Sequence, residues 1–412
     1  MIASAGRPLI FLEGARGPET LALHRERLGA LAPAATRSDL IGILERSGLQ
    51  GRGGAGFPVG RKWRSVAERA GGRAVVLVNG AEGEPLSVKD RSLMTSRPHL
   101  VIDGALLAAD SVGAEEVIFY IGSEHHAARA SMNRALAERK ADFGRRRLRL
   151  LDAPAAYVAG EESAAVNFAQ SGLALPTTTP PRPFERGVRG RPTLVQNVES
   201  LALAALIAHY GDAWYRGLGR GAAKGMGLVT VSGAVSRSGL QEIELGSTVG
   251  EVAEAAGGSR NGLQAVLLGG YFGAFAPADQ AWDLPLEQAA MRARGFALGC
   301  GVVSLISEAE CGVTGASRIM AYMAAQSARQ CGPCVFGLAA IAEATSRLSA
   351  RRAEGDDLER IGRWSAQLTG RGACRHPDGA VGLLRSALRV FDEEFVAHQQ
   401  GRCLRQQARR AA

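Results

Sequence analysis

Five glycines fall within the thirteen residues Gly51-Arg-Gly-Gly-Ala-Gly-Phe-Pro-Val-Gly-Arg-Lys-Trp63, and no other stretch restricts the fold as strongly. Glycine accepts positive φ and lets the main chain approach a ligand to hydrogen-bonding distance, so the run predicts a loop that cradles a phosphate or a flat ring. Gly51, Gly53, Gly54, Ala55 and Gly56 offer bare backbone, while Arg52 and Lys62 bracket it with positive charge. A flexible linker would carry serine and acidic residues, and it gives no reason for Phe57, Pro58 and Trp63. The pattern alone does not separate dinucleotides, mononucleotides and flavins.

The chain around this loop reads as an α/β domain. Leu40-Ile-Gly-Ile-Leu-Glu-Arg46 has the apolar spacing of a short helix that delivers the chain into the loop. Arg73-Ala-Val-Val-Leu-Val-Asn-Gly80 is an apolar, β-branched run of the type buried on both faces of a parallel sheet. It passes directly into Asn79-Gly-Ala-Glu-Gly-Glu-Pro85. Ligands of such sheets lie beyond the carboxyl ends of strands, so Asn79, Glu82 and Glu84 stand where a cofactor would. A polar turn explains Gly83 and Pro85 but is a weaker account of two carboxylates near a basic loop. A helix from His99 and a strand Glu116-Val-Ile-Phe-Tyr-Ile121 make a second βα unit, and Arg145-Arg-Arg147 reads as a solvated basic cluster.

Tyr157-Val-Ala-Gly-Glu-Glu-Ser163 is a further polar insertion opening a helix. Glu161 and Glu162 gain from the helix dipole, which alone would explain them, and Gly160 argues for a ligand as well. Thr177-Thr-Thr-Pro-Pro-Arg-Pro183 can form neither a long helix nor a central strand and is expected to be a covering loop. Pro192-Thr-Leu-Val-Gln-Asn-Val-Glu-Ser200 is expected to start a helix, with Asn197 near its beginning.

Past residue 225 the pattern changes to period two in Leu228–Val235 and Gln241–Leu245, then a short helix capped by Thr248, then the strand Ala265–Gly270, the outline of a β-grasp module. From Ser317 onward the spacing is helical. The expected organisation is an α/β ligand-binding domain over residues 1–224, a small β-grasp module over 225–300 and an α-helical domain over 301–412.

Of six cysteines only Cys331 and Cys334 are close, in Cys331-Gly-Pro-Cys334 at a helix start; Cys374 follows in a glycine-rich turn. Two thiolates so spaced can grip one metal centre, and the pair alone is compatible with a dithiol, zinc or iron-sulfur. No strand precedes it in a βαβ setting, which disfavours the dithiol. Cys300 and Cys311 lie in apolar segments and read as ordinary buried residues, while Cys403 sits in a polar tail without a role. The net charge is +9, with arginine supplying all but four of the 49 basic residues. These arginines form no stripe interleaved with aromatics, which argues against nucleic acid. No apolar run approaches the roughly 20 residues that cross a bilayer, so no direct membrane insertion and a cytoplasmic location are expected.

The order of Gly51–Trp63, Asn79–Arg91, Tyr157–Ser163, Pro192–Ser200 and Cys331-Gly-Pro-Cys334 with Cys374 resembles the NADH-binding flavoprotein subunit of respiratory complex I and the diaphorase subunits of NAD-linked hydrogenases and formate dehydrogenases. The likeness runs from about residue 45 to residue 403. It implies a flavin-binding α/β domain with FMN and NADH, a β-grasp module and a helical iron-sulfur domain. Carried over by residue, it implies that Gly51 to Gly60 and Lys62 hold FMN on one side and NADH on the other. Asn79, Glu82, Tyr157, Gly160, Glu161, Glu162 and Asn197 would bind flavin. Phe57 and Glu84 would face the nicotinamide nucleotide as the positioning pair for hydride transfer, and Cys331, Cys334 and Cys374 would hold the cluster.

Several positions depart from the family pattern. The first of its cluster cysteines falls on Ala328, an aspartate on Ala81, an asparagine on Gln196, and residues used near NADH on Ser65, Thr179 and Arg182. Three thiolates suffice for a 3Fe-4S centre; a 4Fe-4S centre would add His376, solvent or a partner's residue; the third reading is an empty site whose cysteines are relics. The implied function is an NADH:acceptor (quinone-type) oxidoreductase subunit passing electrons to an iron-sulfur or ferredoxin-like partner subunit, peripheral on a membrane complex. The alternative is a flavin-containing relay or assembly subunit that no longer oxidises NADH.

Overall fold

The computed structural model describes Phe11 and residues 17–31, 39–259 and 262–405. The chain forms two compact units. The first runs to Thr230 and takes in Gly239–Ser247; the second comprises Val231–Ser238 and the chain from Thr248 onward.

The first unit is built on four parallel strands, β1 (Ala74–Gly80), β2 (Ala114–Gly122), β3 (Arg147–Ala153) and β4 (Thr193–Asn197), in the order β3-β2-β1-β4. β1 is central, and its unbroken apolar run follows from burial on both faces. Val76 and Val78 pack on one side with helices Val59–Ala70, Pro98–Ser111 and Val198–Tyr210. Val75 and Leu77 pack on the other with Ala165, Val166 and Ala169 of helix Glu162–Ser171. From β1 the chain first builds β2 and β3 on one flank, then returns to lay β4 on the other. The carboxyl ends of β1 and β4 therefore flank the switch point of the sheet, where open α/β sheets form a crevice.

Two elements differ from expectation. Pro192–Ser200 does not open directly as a helix: Thr193–Asn197 is β4, and the helix begins at Val198. Five residues carry little local signal, and what makes them a strand is pairing with β1, Val75 against Thr193 through Asn79 against Asn197. Arg147, expected within a solvated cluster, begins the edge strand β3, whose Arg149 reaches Glu116 of β2.

In the 225–300 region, Met226–Gly233 (β5) and Gly239–Glu244 (β6) are strands, and helix Val249–Ala255 carries a reciprocal cap between Thr248 and Glu251. Leu263–Leu268 (β7) pairs antiparallel with Ala274–Pro277 (β8) and with Val302–Ser307 (β9). β9 thus lies within the stretch expected to be helical. Five helices follow, Gly312–Ala325, Ala339–Ser349, Asp357–Leu368, His376–Val390 and Asp392–Gln399.

Candidate cofactor site and cysteine turn

The glycine loop is a closed excursion. Gln50 bridges to Pro58, the Gly51 amide donates to the Phe57 carbonyl at 2.9 Å, and the Val59 amide donates to the Leu49 carbonyl at 2.9 Å. Between these clasps Gly54 (φ 109°) and Gly56 (φ 65°) take left-handed backbone, and a Cβ on Gly54 would point into open space. Gly53 passes close to Asn197, with a Cβ there 3.4 Å from the Asn197 Cβ. The loop therefore lies over the end of β4, and helix Val59–Ala70 starts immediately after it.

The two basic side chains differ in fate. Arg52 is only 6% exposed; its guanidinium donates to the Met226 carbonyl at 2.8 Å and stands 3.8 Å from Glu199. Its amide donates to the Ser200 hydroxyl at 2.8 Å, so the residue anchors the loop from inside. Lys62 stays at the rim and pairs with Glu162 at 3.0 Å, which joins two sequence-predicted residues a hundred positions apart. Phe57 is half exposed beneath the Arg61 guanidinium, 5.9 Å from its ring centre.

The polar residues at the strand ends lie together. Asn79 and Asn197 are register partners, and the Asn79 side-chain Nδ2 donates to the Gly160 carbonyl at 2.9 Å. Gly83 has no room for a side chain: a Cβ would sit 2.8 Å from the Tyr157 carbonyl oxygen and 3.1 Å from its Cα. Tyr157 in turn donates its hydroxyl to Glu84 at 3.2 Å. Asn79–Glu84 and Tyr157–Gly160 thus form one wall.

Glu82, Glu161 and Asn197 also have structural duties. Glu82 takes left-handed backbone (φ 44°), and its carboxylate accepts the Asp90 amide at 2.8 Å and the Arg91 amide at 2.9 Å, capping helix Lys89–Ser96. Those bonds hold a conformation that a non-glycine residue otherwise avoids. Glu161 caps helix Glu162–Ser171 through the amides of Ser163 and Ala164, both at 2.9 Å. Asn197 accepts from the Glu199 amide and donates to Asp90 at 2.7 Å.

A buried ionic group that sequence reasoning passed over supports these residues. The Lys89 ammonium, 2% exposed, lies 2.6 Å from Asp90 and 3.0 Å from Glu199. Burial opposes its charge, but the carboxylates of Asp90 and Glu199 outweigh that and raise its pKa. Burial is also what pushes the Asp90 carboxyl up to about 7. Lys89 and Asp90 are legible only as polar residues after β1. Their joining to Glu199 depends on β4 and its helix.

In the second unit Cys331 and Cys334 share one turn, with the Cys334 amide donating to the Cys331 carbonyl at 3.0 Å, and Pro333–Leu338 continues as a widened π-helical segment. Burial pushes the Cys334 thiol up to about 12, and the neighbouring thiols of Cys331 and Cys374 push the same way. A thiol whose ionisation is opposed by burial and by its neighbours suits a cationic metal centre, which would reverse that balance. His376, a candidate for an added ligand, is buried, and its Nε2 donates to the Met323 carbonyl at 2.7 Å. That nitrogen is therefore engaged. Ala328 is half-buried and offers no donor.

A glycine cradle at the switch point of a parallel sheet, and a Cys331–Cys334 turn with Cys374 near enough to act on the Cys334 thiol, are marks of a class of protein that carries FMN and an iron-sulfur centre. The Nuo51 FMN-binding domain family matches residues 44–205, and the NADH-ubiquinone oxidoreductase-F iron-sulfur binding region matches residues 315–398. The second F subunit of the NADH-quinone oxidoreductase of Rhizobium meliloti (strain 1021) is 34% identical over 393 residues, covering 92% of each chain. The corresponding F subunit of Streptomyces coelicolor is 31% identical over 385 residues, covering 90% of this chain and 85% of its own. A chain of an NAD+-reducing [NiFe]-hydrogenase in the H2-reduced state superposes with a TM-score of 0.82 at 30% identity, covering 89% of this chain; this chain spans 63% of the hydrogenase chain. The chain belongs to the F-subunit family of the NADH-quinone oxidoreductases.

Proposed function

We propose that this chain is the electron-entry subunit of a complex-I-type or hydrogenase-type assembly, oxidising NADH and passing the electrons to a redox partner subunit. The observation that carries the reading is the clasped glycine loop over the switch point, facing Asn79 and Asn197, in a chain of this family. FMN, when bound, supplies the conversion of a two-electron hydride into single electrons for an iron-sulfur centre.

The protein's own part is positioning. The bare backbone of Gly53 to Gly56 and the rim ammonium of Lys62 would hold the flavin ring and phosphate. Asn79, Gly160 and Asn197 frame the inner wall. Glu82 and Glu161 have their carboxylates committed to helix amides, so they would meet flavin with main chain only. Phe57, half exposed, is free to lie against the nicotinamide nucleotide, and Glu84, fixed by Tyr157, would take ribose or amide hydrogen bonds. On this reading the NADH site rests mainly on Phe57 and Glu84. Cys331, Cys334 and Cys374 would hold the cluster, with the fourth position of a 4Fe-4S centre filled from outside this chain or left open as 3Fe-4S.

Among the described residues no helix is long and apolar enough to cross a membrane. On its likeness to the F subunits of NADH-quinone oxidoreductases we place it in the cytoplasm, peripheral on a membrane complex, beside an iron-sulfur or ferredoxin-like partner. Ferricyanide reduction by NADH tests the activity without the partner. Phe57→Ala is expected to raise KM about fivefold with little change in kcat, since ring stacking is worth about 1 kcal/mol. FMN-loaded protein that fails to reduce ferricyanide with NADH would leave only the relay reading.

A further inference from the structure

We propose that Cys311, His398 and Cys403 form a second metal site, distinct from the cysteine turn, that binds one zinc ion and fastens the segment after helix Asp392–Gln399 to the start of helix Gly312–Ala325. One ligand atom from each lies within 4.8 Å of the other two. Nothing in the local sequence links them: Cys311 precedes helix Gly312–Ala325, His398 closes helix Asp392–Gln399, and Cys403 follows that helix. The fold returns the chain to make the group. The Gly401 amide donates to the His398 carbonyl at 3.0 Å, the Arg402 amide donates to the Ala397 carbonyl at 2.9 Å, and Gly401 takes left-handed backbone (φ 78°). This tight reversal brings Cys403 beside His398.

The histidine is prepared as a ligand. Its Nδ1 lies 2.9 Å from the Leu348 carbonyl oxygen, which can only accept, so Nδ1 carries the proton. The lone pair is then on Nε2, which faces the Cys311 sulfur at 3.3 Å. A ring nitrogen tied to a carbonyl while the other faces outward to thiols is the supporting arrangement of zinc-bound histidines. With Zn–S near 2.3 Å and Zn–N near 2.0–2.1 Å, tetrahedral geometry puts sulfur about 3.5 Å from nitrogen and sulfurs about 3.8 Å apart. The Cys311–His398 pair at 3.3 Å would open slightly, and the Cys403 sulfur, within 4.8 Å of both, would move in to complete the set.

Two thiolates and an imidazole are a borderline-soft donor set suited to Zn2+, and binding releases the two thiol protons to solvent. His398 and Cys403 are 2% and 8% exposed, while Cys311 is half-buried, so that solvent water would be the fourth ligand. Nearby Glu394 is not needed as a ligand: it accepts the Gly312 amide at 2.8 Å and pairs with Arg405 at 2.8 Å. It ties the same two chain segments together. Zinc here would act as a staple between the start of the first helix of the bundle and the residues beyond its last.

The test uses the full chain, reduced, desalted and titrated with Co2+ and then Zn2+. In a Cys331→Ser, Cys334→Ser, Cys374→Ser background, which removes the thiols of the cysteine turn, the chain is expected to show thiolate-to-cobalt charge-transfer absorption, displaced by about one equivalent of zinc. Adding Cys311→Ser or Cys403→Ser to that background is expected to lose that signal at least tenfold. Because Cys403→Ser could disturb packing, zinc protection of Cys311 and Cys403 against alkylation in the wild type, mapped by mass spectrometry, gives a second readout. The proposal fails if metal uptake in that background is unchanged by Cys311→Ser and by Cys403→Ser. It also fails if zinc gives neither cysteine protection, or if the reduced pair only reoxidises to a disulfide without taking up zinc.

Discussion

At the scale of single residues, the site is held by close approaches and buried charges more than by exposed reactive groups. Gly83 illustrates the first: a methyl group would press on the Tyr157 main chain at 2.8 Å. Gly83→Ala is expected to cost about 1–3 kcal/mol, seen as a lower Tm, and to weaken flavin retention on gel filtration. Lys89 illustrates the second. Lys89→Met would leave Asp90 and Glu199 buried without their cation, and urea titration should show a loss of about 3–5 kcal/mol. Away from the site, burial favours the neutral form of Glu19, but hydrogen bonds from His24 and Arg27 and the charge of Arg97 prevail and hold its pKa at about 2. A carboxylate whose folded pKa is depressed stabilises the fold above its unfolded value of 4.5 and loses that contribution as pH falls through about 2. Melting temperature should therefore drop between pH 4.5 and pH 2, and Glu19→Gln should flatten that drop.

At the scale of elements, legibility in the sequence tracked how far a signal was local. β1 could be read from its own apolar run, and helix Leu40–Ser47 from its spacing before Gly48. β4 could not, because Thr193–Asn197 is a strand by virtue of pairing with β1. Asn79, Asn197 and Gly160 were recognisable as polar or glycine positions at element ends. The engagement of Arg52 with Met226 and Glu199 was not, since it depends on β5 and on the helix after β4. The cysteines divide the same way: Cys331 and Cys334 announce themselves by spacing, while Cys311 and Cys403 meet only through the bundle. For the cysteine turn the expected outcome is that Cys331→Ser or Cys374→Ser lowers iron and sulfide content after anaerobic reconstitution several-fold and abolishes the cluster EPR signal. Flavin content should stay unchanged, because the loop belongs to the other compact unit. Full iron content in both variants would remove these residues as ligands.

At the scale of the whole molecule, the chain combines a parallel α/β unit that presents a backbone cradle with a unit whose helical part presents thiols, and the family relationship ties both to electron entry from NADH. The proposed division of labour is chemical: main-chain amides and glycines would hold a neutral ring without adding a titrating group, while thiols would hold iron. The most direct test is the visible spectrum of the anaerobic, FMN- and iron-sulfur-reconstituted protein before and after one addition of NADH. Oxidised flavin bands above a broad cluster absorption, both bleached by NADH, are the expected result. Bound flavin that keeps its oxidised spectrum in excess NADH would contradict the account.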